Sequence, residues 1–383
     1  MDMFLFEWKK LFRSRLIYLY LAVSVAFPAL LFAFNFTQLD RTEREMRATF
    51  ESTITHANVL IQTSQFAKES RELAPDEISF HDKLIDDASE ILTNSQKSLE
   101  AVTIRDASVF LASWIKHFDL IETFQETYDP GTVIVFPFNH EMKQLQKQLV
   151  LIKQAKLTYE DPKNSINRPH FFVQLSNVIF STAGILLLLL LFNLPLLTDF
   201  ETGRLRFSFA ELIGKEKTYF RQLHLFQSSL ALVVLLIGFG CSYLLTTFFG
   251  KGLIEDVTNT FAYPAFLLPD GQSISLGLLL ISQLSVFLSF LFFLNQFFHL
   301  LLFKSMKIIV ASLVFLLLNV SLVFSTTKLE LAGFLQPWLL WTNVNPYDVI
   351  QQPLEILLVL GVLFVLQLLT AAYLNHRTTF HIN

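Results

Sequence analysis

Polar side chains are sparse in the apolar parts of this chain, and the densest group of them contains Asn295 and His299. These two residues are four positions apart in the apolar run 273–303, so they share one face of a helix. Amide and imidazole groups in such a run can hydrogen-bond between helices, or they can line a path for a substrate. We expect hydrogen bonding between helices to be the commoner role, and we keep a candidate pathway at Asn295 and His299 as the sharper alternative.

Motifs that would carry catalysis are absent from the sequence. Gly214-Lys215-Glu216 lacks the upstream glycine and the following hydroxyl of a Walker A loop, and neither H-E-x-x-H nor G-x-S-x-G occurs. The single cysteine, Cys241, excludes an intramolecular disulfide framework and a cysteine metal cluster. Acid and base pairs are missing from the centres of the apolar runs, which disfavours proton-coupled transport. We therefore expect no enzyme, no metal site and no directly bound cofactor.

The composition is that of an integral membrane protein. Of the 383 residues, 52% are hydrophobic and 16% charged, and the mean hydropathy is +0.47. Soluble domains carry about 25% charged residues. The net charge of −4 argues against nucleic acid as a partner, because binding phosphates needs a basic surface.

Six apolar runs have roughly the 20 residues that a helix needs to cross a bilayer. They are 16–36, 171–197, 224–249, 273–303, 308–326 and 354–374. The first run follows basic residues, as a signal peptide would, but it is too long for one and no small-x-small cleavage site follows it. We expect it to be an uncleaved first transmembrane helix.

Residues 1–15 have the pattern of a helix that lies on a membrane surface. Phe4, Trp8, Leu11 and Phe12 share one helical face, and Lys9, Lys10 and Arg13 lie on the other. Such a helix places its cations on anionic headgroups and its tryptophan at headgroup depth. The alternative is that the basic residues only fix the topology, and the two interpretations are compatible.

The distribution of Lys and Arg predicts the orientation. With the N-terminus inside, twelve basic residues fall in the cytoplasmic segments and two, Lys251 and Lys328, in the short outer connections. This positive-inside bias places both termini and the stretch 198–222 in the cytoplasm. The long insertion 37–170 is then extracytoplasmic.

The insertion 37–170 has helical periodicity, for example at Met46, Phe50, Ile54, Ala57 and Ile61. We expect about four helices there. The predicted fold is an all-α integral membrane protein, with six transmembrane helices and a mostly helical extracytoplasmic insertion between helices 1 and 2. Residues 223–383 would hold transmembrane helices 3 to 6, with a short re-entrant outer segment at 327–353 that is rich in Trp and Pro.

The stretch 198–222 concentrates charge between two apolar runs. Within it Leu205, Phe209, Leu212 and Ile213 fall on one helical face. A short amphipathic helix of this kind suits a lipid surface or a soluble partner. Because the chain has neither a nucleotide-binding loop nor a proton relay, energy for transport would have to come from a partner.

This stretch resembles a specific family. The sequence D-F-E-T-G-R-L after the second apolar run, with K-E-K before the third, is similar to the membrane subunits of type-2 ABC exporters. In that family an acidic-glycine segment and a coupling helix contact a separate ATPase. The resemblance implies docking residues at Phe200, Glu201, Gly203, Arg204, Leu205, Phe209 and Leu212. The N-terminal helix is similar to the family's connecting helix, and 327–353 to its re-entrant helices.

The resemblance implies that transport and ATP hydrolysis are carried by separate chains. The chain would be the permease for ATP-driven export of a peptide, antimicrobial or lipid-like substrate from a bacterial cell, in the plasma membrane. Two copies of an ABC ATPase would hold the ATP and Mg, and a second permease chain, identical or related, would complete the membrane part. The alternative is a membrane sensor whose ectodomain binds a ligand and whose cytoplasmic loop contacts a regulatory partner.

Overall fold

The computed structural model describes residues 3–70, 73–129, 133, 136, 140–161, 164–179, 182–201, 216–255, 259–267, 273–305, 365 and 369. In chain order the helices are α1 (Met3–Arg13), α2 (Leu16–Ser70), α3 (Pro75–Ile104), α4 (Ala107–Thr127), α5 (His140–Gln154), α6 (Arg168–Ile179), α7 (Thr182–Glu201), α8 (Glu216–Phe248) and α9 (Leu276–Ser305). The strands β1 (Pro264–Leu267) and β2 (Ser273–Ser275) lie between α8 and α9. The prediction of a mostly helical chain is confirmed.

The chain divides into two compact units. Unit 1 comprises Met1–Leu31, Phe172–Leu244 and Leu278–Asn383, and unit 2 comprises Phe32–Phe171 and Leu245–Gly277. Unit 2 therefore contains the predicted insertion together with a second segment, 245–277, which the sequence did not assign to it.

Unit 1 is held together by apolar side chains from α1, α2, α7, α8 and α9. Leu11, Tyr20, Phe192, Phe226 and Leu294 are buried members of one cluster. Of these helices, α7 and α9 are apolar on most of their faces, which is typical of helices that lie in hydrocarbon or in a large core.

Among the described residues, two helices are long and apolar enough to cross a membrane. They are α2, with a best window of mean hydropathy 2.2, and the part Arg221–Phe248 of α8, with 2.1. The predicted first span 16–36 continues without a break as helix to Ser70. The predicted second span 171–197 falls on α6 and α7, and the fourth, 273–303, on β2 and α9. The predicted segments 308–326 and 327–353 lie outside the described residues, and of 354–374 only Val365 and Leu369 are described.

The α2 helix carries a proline at position 28 inside the predicted first span. Proline has no N–H, so it leaves the carbonyl of Ser24 without its usual helical donor. A Cβ added to Gly238 of α8 would lie 3.5 Å from that carbonyl oxygen. The two helices therefore approach closely where small residues allow it.

Unit 2 is built from the part of α2 that begins at Phe32, together with α3, α4 and α5. Ala57, Leu84, Ile91, Ile121 and Phe124 belong to its larger apolar cluster. The helix boundaries follow from local signals. Pro75 starts α3 and the Glu77 carboxylate accepts from the Ala74 N–H at 2.9 Å. The Asp106 carboxylate caps α4 by accepting from two N–H groups at 3.0 Å.

The segment 245–277 of unit 2 contains a small β-hairpin. β1 pairs antiparallel with β2, with Phe266 opposite Ile274 and Leu267 opposite Ser273. The Leu276 N–H then donates to the Tyr263 carbonyl at 2.8 Å. Tyr263 itself is buried, so this hairpin is anchored to the interior of unit 2.

Candidate functional site

The N-terminal helix α1 packs onto unit 1 through its apolar face. The Trp8 ring lies edge-on to Phe226 of α8, with centroids 5.5 Å apart. Leu11 is buried, and Phe4 packs against the same cluster. Phe12, predicted on the same face, is 59% exposed. Lys9 and Arg13 are exposed.

Lys10 lies elsewhere than the sequence predicts. Its ammonium group is paired with Glu7 at 3.3 Å and with Asp199 near the end of α7. Glu7 is buried, and this burial raises the pKa of its carboxyl, although the charge of Lys10 opposes the rise. Lys10 was expected with Lys9 and Arg13 on the face opposite the apolar residues. In the structure its side chain is only 23% exposed, and its pair with Asp199 links α1 to α7.

A buried polar cluster, here called the amide ring, links three helices of unit 1. It consists of Asn193 on α7, Gln227 on α8, and Asn295 and His299 on α9, all buried. Asn193 Nδ2 donates to Asn295 Oδ1 at 2.7 Å, and Asn295 Nδ2 donates to Gln227 Oε1 at 2.8 Å. Gln227 Nε2 closes the circuit by donating to Asn193 Oδ1 at 3.0 Å.

The imidazole of His299 joins this circuit at Asn193. Its Nε2 lies 2.7 Å from Asn193 Oδ1 and 3.2 Å from Gln227 Nε2. An N–H at Nε2 would donate to the Asn193 oxygen, which leaves the Gln227 amide to the bonds above. The ring of His224 on α8 lies 4.9 Å from that of His299, between centroids. The cluster therefore contains two imidazoles and three amides.

Each of the three amides of the ring both donates and accepts a hydrogen bond within it, and the ring holds no carboxylate among the described residues. Such a cluster fixes the relative register of α7, α8 and α9, because sliding one helix breaks several bonds at once. In the part of the chain that the structure describes, no group of three metal-ligating side chains occurs.

The structure brings the two candidate pathway residues together with residues whose partnership the sequence could not show. Asn193 and Gln227 are isolated polar positions in separate apolar runs, 34 residues apart, and they meet only in the fold. His224 is the first residue of the apolar run 224–249 and was not predicted as a site residue. The signal that could have found it is its spacing of three from Gln227, which places both on one face of α8.

The predicted docking residues lie at and beyond the end of α7. Phe200 and Glu201 are the last residues of that helix. Gly203, Arg204, Leu205, Phe209 and Leu212 lie outside the described residues. The chain is described again from Glu216, where α8 begins.

An apolar cleft lies between α2, α7 and α8 within unit 1. Its lining includes Phe27, Pro28, Leu188, Val234 and Gly238. The polar side chain in the lining, Ser24, donates its hydroxyl to the Tyr20 carbonyl of its own helix at 2.6 Å. The cleft therefore suits an apolar occupant such as a lipid chain.

Comparison with known proteins gives no relatives. No family model matches the chain, and no curated protein or solved structure matches it significantly.

Proposed function

We propose that the chain is the membrane subunit of an ABC exporter of the type-2 class. It would cross a bacterial plasma membrane six times, with both termini in the cytoplasm. It would export a peptide, antimicrobial or lipid-like substrate. Two copies of a separate ATPase would supply the energy, and a second permease chain would form the other half of the pathway.

Three features support the proposal. Two helices can cross a membrane by length and hydropathy, and the sequence lacks an energy-coupling motif of its own. The stretch that begins in the last turn of α7 carries the D-F-E-T-G-R-L pattern that is similar to the coupling segment of these exporters.

The observation that carries the proposal is the attachment of α1 to the end of α7. Asp199 pairs with Lys10 two residues before Glu201, and Trp8 packs on Phe226 ten residues into α8. The two helices that flank the candidate docking stretch are thus both fastened to α1. A force applied by an ATPase to this stretch would be delivered to α1, α7 and α8 together.

The amide ring couples a movement of α7 and α8 to α9. Asn193 lies on α7 and Gln227 on α8, each a few helical turns from the docking stretch, and both bond to Asn295 on α9. A displacement of α7 and α8 would carry α9 with them or would break the ring. In this proposal Asn295 and His299 stabilise the helix arrangement beside the pathway, and alternating access requires their bonds to exchange.

Co-purification from the native host tests the proposal. The tagged chain is solubilised in mild detergent, and bound proteins are identified by mass spectrometry. We expect the wild type to retain a subunit with a Walker A motif. The double variant Glu201→Arg, Leu212→Asp should reduce its recovery at least tenfold, because it reverses a charge and removes an apolar contact.

The control variant is Glu45→Arg, which makes the same charge reversal at an exposed position of α2. It should retain the ATPase at the wild-type level. The proposal fails if the wild type brings down no nucleotide-binding subunit, or if the double variant retains it fully. Specific recovery of a kinase or regulator in its place would support the sensor alternative.

A further inference from the structure

A carboxyl group that has no positive partner among the described residues is buried in unit 2. Glu160, in the connection between α5 and α6, is 1% exposed. Its Oε1 accepts from the Leu253 N–H at 2.9 Å and from Asn167 Nδ2 at 3.2 Å. Its Oε2 accepts from the Ser165 hydroxyl at 3.0 Å. All three donors are neutral, and no cation among the described residues contributes to its environment.

The hydrogen bonds around Glu160 join two distant segments, 158–171 and 252–263. We call this set of contacts the Glu160 junction. Asn167 Oδ1 accepts from the Asn259 N–H at 3.0 Å, and Asn259 Nδ2 donates to the Thr158 carbonyl at 2.9 Å. The Glu160 N–H points to the Tyr263 hydroxyl oxygen at 3.3 Å. The carboxyl group therefore lies at the centre of the contact between the two segments.

The approach of these segments also depends on a glycine. A Cβ added to Gly252 would lie 1.8 Å from the Glu255 carbonyl oxygen and 3.1 Å from Glu160 Oε1. The first distance is far inside any allowed contact, so only glycine fits this position. The backbone of 252–253 can then reach the carboxyl oxygen directly.

A proton on Glu160 would reverse one bond of the junction. Ser165 Oγ accepts from the Asn167 N–H at 2.9 Å, and the Asn167 carbonyl accepts from the Phe171 N–H at the start of α6, at 3.0 Å. A protonated Oε2 donates to Ser165 Oγ, whereas an ionised Oε2 accepts from it. Oε1 keeps both of its donors in either state. The protonated form thus retains the contacts and removes the buried charge.

The charged groups that the structure describes nearby do not stabilise the ionised form. The other described titratable groups of residues 158–171 and 251–263 are Tyr159, Asp161, Arg168, His170, Lys251, Glu255 and Tyr263. Burial lowers the pKa of His170 to about 3, so its ring is neutral against Tyr263, with centroids 4.5 Å apart. Arg168 donates to Thr247 at 2.7 Å, and the side chains of Lys251 and Glu255 are exposed. Asp161 adds a negative charge.

We propose that Glu160 is a pH-operated clamp within unit 2, whose protonation tightens the contact between 158–171 and 252–263 and whose ionisation loosens it. This inference does not depend on an ATPase partner. If the predicted topology is right, the clamp responds to the pH outside the cell.

The direction of the effect follows from linkage. Burial raises the pKa of Glu160 from 4.5 to about 7, against the hydrogen bonds that favour the ionised form. A raised pKa in the folded state means that the folded state binds the proton more tightly than an open one. The stabilisation is therefore complete below pH 4.5 and is lost as the pH rises through about 7. Between pH 6 and pH 8 the opening equilibrium of the junction should rise about tenfold.

Two measurements on the full chain in detergent test the clamp. Infrared spectroscopy follows the C=O stretch of a protonated carboxyl, and hydrogen exchange follows the amides of 158–171, referenced at each pH to unstructured peptides. In the wild type a carboxyl band should titrate near pH 7, and protection should fall about tenfold from pH 6 to pH 8. Glu160→Gln imitates the protonated form, so it should lose the band and keep its protection at pH 8.

Two further variants complete the test. Asp161→Asn removes a negative neighbour, so the midpoint of the wild-type band should move to lower pH. Glu255→Gln, an exposed carboxyl of the same region, should leave the wild-type titration unchanged. The proposal is overturned if wild type and Glu160→Gln show the same carboxyl bands from pH 5 to pH 8.5. It is equally overturned if the band titrates while protection of 158–171 stays constant.

Discussion

The amide ring of unit 1 and the Glu160 junction of unit 2 are both buried polar clusters, but they are built from different chemistry. In the amide ring each amide uses its oxygen as an acceptor and its nitrogen as a donor, and an amide carries no charge. In the junction three donors converge on one carboxyl group. The first contains no carboxyl group, and the second surrounds a carboxyl group that can gain or lose a proton.

The difference agrees with the surroundings of each cluster. α8, which supplies Gln227, is long and apolar enough to cross a membrane, and an isolated charge at membrane depth is unfavourable by several kcal/mol. A neutral network avoids that penalty. Helices of unit 2 carry exposed charged side chains, for example Glu90 and Lys116, and an ionisable group in this unit can exchange protons with water. We therefore expect the stability of the amide ring to be independent of pH and the stability of the junction to depend on it.

Removing the acceptor of the junction should have the largest effect. Glu160→Leu keeps much of the volume but leaves the Leu253 N–H, the Asn167 amide and the Ser165 hydroxyl without their acceptor. Each buried donor left unsatisfied destabilises by about 1 to 3 kcal/mol. We expect the opening free energy of 158–171 at pH 6 to fall by about 3 kcal/mol, measured by hydrogen exchange. At pH 8 the loss should be smaller, because the wild type is then itself weakened.

The control for this variant is Glu255→Leu, which makes the same change at an exposed position. It should alter the opening free energy by less than about 0.5 kcal/mol. Equal losses for Glu160→Leu at pH 6 and pH 8 would contradict the protonation of Glu160, whatever their size.

Breaking the amide ring should have an intermediate effect that does not depend on pH. Asn193→Leu removes the residue that bonds to Asn295, Gln227 and His299 at once. Polar contacts between helices in a membrane average about 0.6 kcal/mol each. We therefore expect a loss of about 2 kcal/mol in the free energy of unfolding in detergent, the same at pH 6 and pH 8.

Ser285→Ala is the matched control for the amide ring, since this exposed hydroxyl of α9 donates only to its own helix, at the Ile281 carbonyl. Its effect should stay below about 0.5 kcal/mol. A loss for Asn193→Leu no larger than that of the control would mean that the ring does not hold the helices in register.

The sequence predicts secondary-structure elements better than contacts between residues distant in the chain, for physical reasons. Helical periodicity and capping signals act over a few residues, so the helical character of the chain and the start of α3 at Pro75 could be predicted. The partnership of Asn193 with Asn295 spans 102 residues and that of Glu160 with Leu253 spans 93. No local pattern encodes such distant pairs. Glu160 was not predicted as a site residue, because a glutamate beside Asp161-Pro162 is typical of an exposed loop.

The inward turn of Lys10 shows the same limit on a smaller scale, and it leads to the smallest of the expected effects. The pair of Lys10 with Asp199 is partly buried, with exposed side-chain fractions of 23% and 15%. The Arg41–Glu45 pair of α2 is exposed, with 69% and 65%. In double-mutant cycles to alanine we expect a coupling of about 1 kcal/mol for the first pair and about 0.3 kcal/mol for the second. Added salt should weaken the coupling of the exposed pair more, because buried charges are less screened. Equal couplings would mean that Lys10 does not fasten α1 to α7, and the mechanical link in the proposed function would lose its support.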